Sequence, residues 1–255
     1  GTSRAGLVAA AREPLPAAVV ARLAVLVARR AAREPVHYVI GTREFWSLSL
    51  AVDRRVLIPR PETELVVETA LAVAPDARRV LDVGTGSGAL AAALAGELPA
   101  ARVWASDVAL DALAVARVNL ARHAPRVRLV CADLLGAWRS GAFDLIVSNP
   151  PYVATGTLDA LPPEIRDHEP RQALAAGPDG LDALRALVAT APAALAAGGW
   201  LVLEMGAGQA AALRAGVDAD GRYADVRVVR DAAGIERVLA ARCVDGEGRD
   251  GCRRS

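Results

Sequence analysis

The sequence predicts an α/β fold: a doubly wound, mostly parallel sheet of seven strands, closed by an antiparallel hairpin and preceded by a small helical domain and a β-hairpin. Three observations predict it. From residue 80 onward, short apolar runs alternate with segments of helical periodicity. The first of these runs, "RRVLDVG", passes straight into a turn holding Gly84, Gly86 and Gly88 and then into a helix, the βα junction of an open sheet. The last two runs, "YADVRVVRD" and "GIERVLAARC", are separated by a turn too short for a helical crossover and therefore lie antiparallel.

Taken in order, Leu15, Val19, Leu23 and Leu26 recur at helical spacing across 15–33, with Arg22, Arg29 and Arg30 among them. This is an amphipathic helix that needs a partner surface. The arginine- and alanine-rich start holds one serine and reads as structure rather than as a transit peptide. The chain opens on Gly1 without a Met, so the front of the helical domain reads as trimmed. "VHYVIGTREFWSLSLAVDRRVLIP" contains two β-prone segments and a glycine, read as a hairpin. Then come strand "RRVLDVG", a helix near 87–97, strand "ARVWASD", a helix over 109–122, strands "VRLVCAD" and "FDLIVSN", a helix over 179–197 and strand "GWLVLEMG". The polar, glycine-rich end "CVDGEGRDGCRRS" reads as disordered. The expected divisions are 1–58 for the truncated helical domain and hairpin, 59–242 for the sheet domain and 243–255 for the tail.

Composition limits the function. Of 255 residues 53% are apolar, enough for a large core, but only 4% are aromatic, so Ala, Val and Leu must fill it. Thirty basic residues stand against 29 acidic ones, a net charge of +1, which argues against binding driven by phosphate charge. All 30 are arginine, a compositional bias rather than a basic patch. Cys131, Cys243 and Cys252 fit neither a disulfide framework nor a zinc pattern, and His37, His123 and His168 lack ligand spacing. No metal is expected. The apolar runs are too short or too charged to cross a bilayer.

"VLDVGTGSGAL" carries the first chemical signal. Glycines between a strand and a helix permit a tight turn, close backbone approach to a ligand, and exposure of the free N–H groups of the helix end. Asp107 ends the next strand, where a carboxylate can accept both hydroxyls of an adenosine ribose; it can equally cap the following helix. Gly84-Thr85-Gly86-Ser87-Gly88-Ala89 satisfies a dinucleotide G-x-G-x-x-A pattern and also the G-x-G-x-G of S-adenosylmethionine enzymes, with Asp82 just before it. The loop alone leaves both cofactors open.

"DLIVSNPPYV" separates them. Asn149 lies at the carboxyl end of the fourth sheet strand, on the rim where ligands of such sheets bind. Two prolines stiffen the chain directly after it, leaving the carbonyls of Asn149 and Pro150 in a fixed arrangement, and Tyr152 adds a flat surface with a polar tip. The Asn149 side-chain oxygen and the Pro150 carbonyl can accept the two hydrogens of a planar –NH2 group and aim its nitrogen at an electrophile. A sulfonium methyl is such an electrophile, and hydride transfer has no use for this corner. The methyl-transfer reading is preferred.

"NPPY" with "LDVGTGSGAL" is similar to the amino-methyltransferases that use S-adenosylmethionine. "REFWSLSLAVDRRVLIPRPETELVVE" (43–68), "LPPEIRDHEPRQAL" and "DAAGIERVLAAR" more specifically resemble the peptide chain release factor glutamine methyltransferases, from about residue 34 to 242. That resemblance implies a Rossmann-like methyltransferase domain behind a small helical domain. It implies methylation of the side-chain amide of the Gln in the Gly-Gly-Gln motif of release factors one and two. It implies that Gly84, Thr85, Gly86, Ser87 and Gly88 line the methionine part of the cofactor and that Asp107 holds the ribose. Asp133 and Leu134 match the segment that flanks adenine, Leu134 standing where some relatives carry an aromatic residue. Asn149, Pro150, Pro151 and Tyr152 match the segment that binds the substrate glutamine, Asn149 also facing the cofactor. Arg60 matches a signature beside the active site and serves there or in a salt bridge; His168 and Glu169 are expected to order a loop. A cytoplasmic monomer without direct nucleic-acid contact is expected. The alternatives are a ribosomal-protein glutamine methyltransferase, an adenine amino-methyltransferase, an NAD-dependent reductase and an inactive cofactor-binding module.

Overall fold

The computed structural model describes residues 3–244. Three helices open it: α1 (Arg4–Ala9), α2 (Ala17–Ala31) and α3 (Val36–Ile40). A hairpin of β1 (Thr42–Phe45) and β2 (Leu48–Ala51) precedes α4 (Glu64–Val73). The chain then alternates through β3 (Arg79–Val83), α5 (Ala89–Glu97), β4 (Arg102–Asp107), α6 (Leu110–His123), β5 (Arg128–Cys131) and β6 (Phe143–Ser148). Next come α7 (Pro163–Arg166), α8 (Asp182–Ala194), β7 (Leu195–Glu204), α9 (Ala210–Asp220), β8 (Tyr223–Arg230) and β9 (Glu236–Cys243).

Seven strands form one sheet in the order β5-β4-β3-β6-β7-β9-β8. The pairs from β5 to β7 are parallel, and β9 runs antiparallel to both β7 and β8. The expected α/β class, doubly wound sheet and closing hairpin are all present. Residues alternate between two cores along each central strand. Val80, Leu145, Val147 and Val202 face the layer of α4, α5 and α6. Leu81, Ile146, Leu201 and Leu203 face the layer of α8 and α9.

The alanine-rich composition is explained at α5. Residues 89–95 of this helix are all buried, so it is apolar all round, and small side chains let it sit between the sheet and its neighbouring helices. The scarce aromatics are concentrated: Phe143 meets Trp104 edge-on at 5.5 Å and Trp138 at 5.0 Å.

Several expectations are corrected. Val36–Ile40, read as β-prone, is helical, starting after Pro35 and ending where Gly41 takes φ +79°. Tyr38 decides this, since the helical turn buries its ring among Val52, Val56 and Ile58 and lets its hydroxyl donate to the Val56 carbonyl. The hairpin turns instead at Trp46 and Ser47, both in the left-handed region (φ +49° and +59°). The helix expected over 179–197 ends at Ala194, because Leu195 already pairs with Phe143. Helices α4 and α9 were not expected at all. Cys243, assigned to a tail, is the buried last residue of β9, and 245–255 lie outside the described residues.

The helix expected over 15–33 forms as α2, and none of its residues is buried; Val19, Leu23 and Leu26 are 42, 48 and 37% exposed. Its basic end is tied down by charge. Arg29 pairs with Glu34 at 2.7 Å, and Arg30 and Arg33 both reach Glu164 on α7 at 3.0 Å.

Candidate active site

The register of the sheet builds the site. Val83 is paired with Ser148 on one side and Ser106 on the other, so the glycine loop, Asn149 and Asp107 leave three adjacent strands at the same level. The order reverses between β3 and β6, and ligands of open sheets bind at such a reversal.

In the loop, Gly84 and Gly86 take φ +69° and +54°, and a Cβ on either would meet nothing within 4 Å. Their open sides face a cavity of about 320 Å³. Gly88 (φ +85°) precedes the first residue of α5 and does not line the cavity; a Cβ there would lie 3.3 Å from Cγ of Leu120, so this glycine serves helix packing. Thr85 donates its hydroxyl to Asp82 Oδ2 at 2.6 Å, and Ser87 offers its carbonyl to the Asn119 amide at 2.8 Å. That amide also takes both backbone groups of Ala51, fastening the hairpin to the glycine loop.

Asp107 caps the following helix and also clips the glycine loop. Its Oδ1 accepts the Ala109 N–H at the start of α6, and its Oδ2 accepts the Gly86 N–H, each at 2.9 Å. Lone pairs on both oxygens remain, and the carboxylate lines the cavity. Asp82 is wholly buried behind the loop. Burial pushes its carboxyl up to about 7 against the opposing bonds from Thr85 and Ala91. Its Oδ1 has no hydrogen-bond partner among the described residues.

The cavity continues past Asp133 and Leu134, the latter in the left-handed region at φ +46°, and ends at Asn149, Pro150 and Pro151. A second cavity of about 160 Å³ opens on the far side of Asn149 and Pro150, with Arg60, Tyr152 and Ile165 in its wall. The predicted site residues therefore divide between two chambers that meet at Asn149 and Pro150; Gly88 belongs to neither.

Residues absent from the sequence reading hold the corner. Asn149 Nδ2 donates to Thr63 Oγ1 at 3.1 Å, and the Tyr152 hydroxyl donates to Glu204 Oε1 at 3.2 Å. Gln209 accepts the Gly206 N–H and donates to the Tyr152 carbonyl at 3.0 Å. Burial raises the Tyr152 phenol well above its ordinary value, reinforced by the Glu204 charge. Burial likewise raises Glu204, whose Oε2 lacks a partner among the described residues. A signal for Glu204 was available: it is the single charge in the apolar strand "GWLVLEMG", and buried charge in a central strand needs a reason. Thr63 lies in "PRPETE", but nothing local distinguishes it from a helix cap.

Arg60 and Glu169 form an ion pair at 2.6 Å; the Glu169 side chain is 1% exposed. Burial raises the Glu169 carboxyl, while Arg60 opposes the shift. This pair ties the segment before α4 to the loop after α7. His168, half-buried beside it, lines neither cavity.

Comparison with known proteins decides the family. The "Methyltransferase small domain" family matches residues 61–161 and the "PrmC N-terminal domain" family matches residues 1–41. A release factor glutamine methyltransferase of Geobacter sulfurreducens is 46% identical over 242 residues, covering 95% of this chain and 85% of the relative. One of Burkholderia pseudomallei is 47% identical over 251 residues, covering 95% and 87%. The chain belongs to the release factor glutamine methyltransferase family. It is an S-adenosylmethionine-dependent methyltransferase, and the dinucleotide reading of the glycine loop falls with that membership. Solved structures carry the same fold at low identity. The hMettl16 catalytic domain in complex with a MAT2A 3'UTR hairpin matches with a TM-score of 0.65 at 18% identity, covering 83% of this chain and 82% of that one. A methyltransferase from Pyrococcus furiosus matches with a TM-score of 0.58 at 20% identity, covering 90% and 100%.

Proposed function

We propose that this protein transfers a methyl group from S-adenosylmethionine to the side-chain amide nitrogen of the glutamine in the Gly-Gly-Gln motif of release factors one and two. The observation that carries the reading is the meeting of two chambers at Asn149 and Pro150, one beside the glycine loop and one beside Tyr152.

The first chamber fits the cofactor. Its volume of about 320 Å³ lies in the range of small-molecule sites. Gly84 and Gly86 leave open space where side chains would intrude, and the free lone pairs of Asp107 suit a ribose diol. Asp133 and Leu134 would flank the adenine, with aliphatic packing from Leu134 in place of stacking. S-adenosylmethionine, when bound, supplies an electrophilic methyl group on a sulfonium sulfur.

This chain's residues then do the rest by orientation. A glutamine side chain enters the second chamber past Tyr152, and its –NH2 meets the Asn149 Oδ1 and the Pro150 carbonyl. Holding both hydrogens turns the nitrogen's face toward the first chamber and prepares it to bond carbon as the sulfur–carbon bond breaks. One of the two hydrogens leaves as a proton to solvent, so the amide stays neutral. Preorganised acceptors of this kind act by positioning and by stabilising developing charge.

Asn149→Ala should lower kcat by about 10²-fold while leaving cofactor affinity within about threefold. Equal losses in both would refute the assigned role. Transfer of labelled methyl to an unmodified release factor, with none to the same factor carrying Ala in place of that Gln, tests the substrate. Label on adenine-rich DNA alone would favour the adenine reading, and label on a ribosomal protein alone the other glutamine reading. The division of labour extends to the N-terminal part, residues 1–58. The exposed stripe of Val19, Leu23 and Leu26 grips the protein substrate, and deletion of residues 1–40 without loss of release-factor affinity would overturn this. The protein acts as a cytoplasmic monomer; sedimentation at working concentration checks the second point. Among the described residues no helix is long and apolar enough to cross a membrane.

A further inference from the structure

Two prolines stiffen the acceptor corner, but they also deprive it of hydrogen-bond donors. Neither Pro150 nor Pro151 has an N–H, so the backbone pairing of β6 cannot extend through them. The corner must be fastened by its carbonyls and side chains instead. Its upstream end is held by the bond from Asn149 Nδ2 to Thr63 Oγ1 at 3.1 Å. Its downstream end is held by Gln209, 57 positions further along the chain from Tyr152.

Gln209 stands just before α9, and its side-chain amide has both hydrogens and its oxygen engaged. Nε2 donates to the Tyr152 carbonyl at 3.0 Å and to the Gly180 carbonyl at 3.1 Å, while Oε1 accepts the Gly206 N–H at 2.8 Å. Two acceptors on one side and a donor on the other admit a single orientation of the amide. The backbones it joins lie too close together for side chains. A Cβ on Gly180, which takes φ +76°, would lie 2.5 Å from the Tyr152 carbonyl oxygen and 3.0 Å from Gln209 Nε2. A Cβ on Gly206 would lie 3.0 Å from Gln209 Oε1 and 3.2 Å from Cδ2 of the Tyr152 ring. Beyond the ring, Glu204 Oε1 accepts from the Tyr152 hydroxyl at 3.2 Å. Tyr152 is thus held at its carbonyl, its ring edge and its hydroxyl by the one segment 204–209.

We propose that Gln209 is a positioning residue for the methyl transfer: its amide clips the Tyr152 carbonyl to the Gly180 loop and the Gly206 turn, and so fixes the ring and the Pro150 carbonyl that together receive the acceptor amide. The inference rests on the proposed amide substrate. Gln209, Gly180 and Gly206 line neither chamber, so the clip acts only through Tyr152. It reaches Pro150 because the proline rings freeze φ at 150 and 151, leaving few soft angles between a fixed Tyr152 peptide and the acceptor carbonyl. Catalysis by orientation is sensitive to such a link, since a misplacement of about 1 Å can cost about 10²-fold in rate.

Two variants and one spectroscopic measurement test it. Gln209→Met keeps the length and bulk of the side chain and removes all three bonds. Gly206→Ala leaves Gln209 in place and pushes a methyl group against the Tyr152 ring. Each should lower kcat on a release factor by about tenfold, counted per cofactor-binding site, with KM for the factor and cofactor affinity within about threefold. A purely structural clip would lower the yield of folded enzyme and leave kcat per cofactor-binding site unchanged. The spectroscopic arm needs no acceptor. The chain has three tyrosines, so ring-labelled tyrosine gives three sets of NMR signals. Those of Tyr152 should move in Gln209→Met, while those of Tyr38 and Tyr223 stay. A Gln209→Met enzyme within about twofold of wild-type kcat, or unmoved Tyr152 signals, would overturn the inference. Should Gln209→Met fail to fold, Gly206→Ala decides by the same criteria. If the wild type fails to methylate release factors, the proposed function is at fault, and the NMR arm still decides this one.

Discussion

Replacing Asp82 with asparagine should remove a specific pH dependence from the protein's stability. The carboxyl is wholly buried beneath the glycine loop, and burial carries it from an ordinary value near 3.8 to about 7. A carboxyl raised in the folded state binds its proton more tightly there than in the unfolded chain. Stability is therefore lost as pH rises from the unfolded value toward the folded one, and the loss is complete above it. About three units at 1.36 kcal/mol each make a total of about 4 kcal/mol, of which about 2.5 kcal/mol falls between about pH 5 and about pH 8. Asparagine resembles the protonated acid and can still accept from Thr85 and the Ala91 N–H. Glu169 and Glu204 are raised too and act in the same direction, so the difference between wild type and variant isolates Asp82. Urea unfolding across this range should show the variant gaining on the wild type as pH rises, by about 2.5 kcal/mol in all. Parallel curves would refute the reasoning and mean that Asp82 stays ionised in the fold, with solvent or a counter-ion reaching its Oδ1.

The other expectations are simpler to state. Gly88→Ala should cost about 1–2 kcal/mol in unfolding free energy, from its left-handed backbone and the 3.3 Å contact with Leu120, while leaving cofactor affinity nearly intact by calorimetry. Gly86→Ala, with a similar backbone cost and open cavity beside it, should lose affinity as well; identical behaviour of the two variants would show that the loop does not face the cofactor. Arg60→Met leaves Glu169 buried without its counter-charge and should cost about 3 kcal/mol, much of it regained when Glu169→Gln is added, as a thermodynamic cycle would reveal.

Local pattern carried the fold a long way. Strands such as "RRVLDVG" and "FDLIVSN" are continuous apolar runs because both faces of the central sheet are buried, and such runs are recognisable without a structure. Helices α4 and α9 escaped notice because their apolar faces are short and sit beside strands of similar composition. Val36–Ile40 misled because its β-prone residues obey Tyr38, whose burial partners lie more than ten residues away. The glycines, Asp107 and Asn149–Tyr152 were legible because each needs an unusual residue at a strand end. Thr63, Asn119, Glu204 and Gln209 were not, because their partners are distant in the chain: Thr63 meets Asn149 across 86 positions and Asn119 meets Ala51 across 68.

By itself, then, the order of residues determined the sheet, its closing hairpin, the glycine turn and the stiff corner, since each arises from backbone chemistry within a few positions. Only the tertiary structure decided that Gly88 packs while Gly84 and Gly86 face a cavity, that Asp107 clips the loop as well as capping a helix, and that Glu204 accepts from the Tyr152 hydroxyl. Those are outcomes of strand register, which brings Val83, Ser106 and Ser148 level, and register is set by packing over the whole sheet rather than by any one segment.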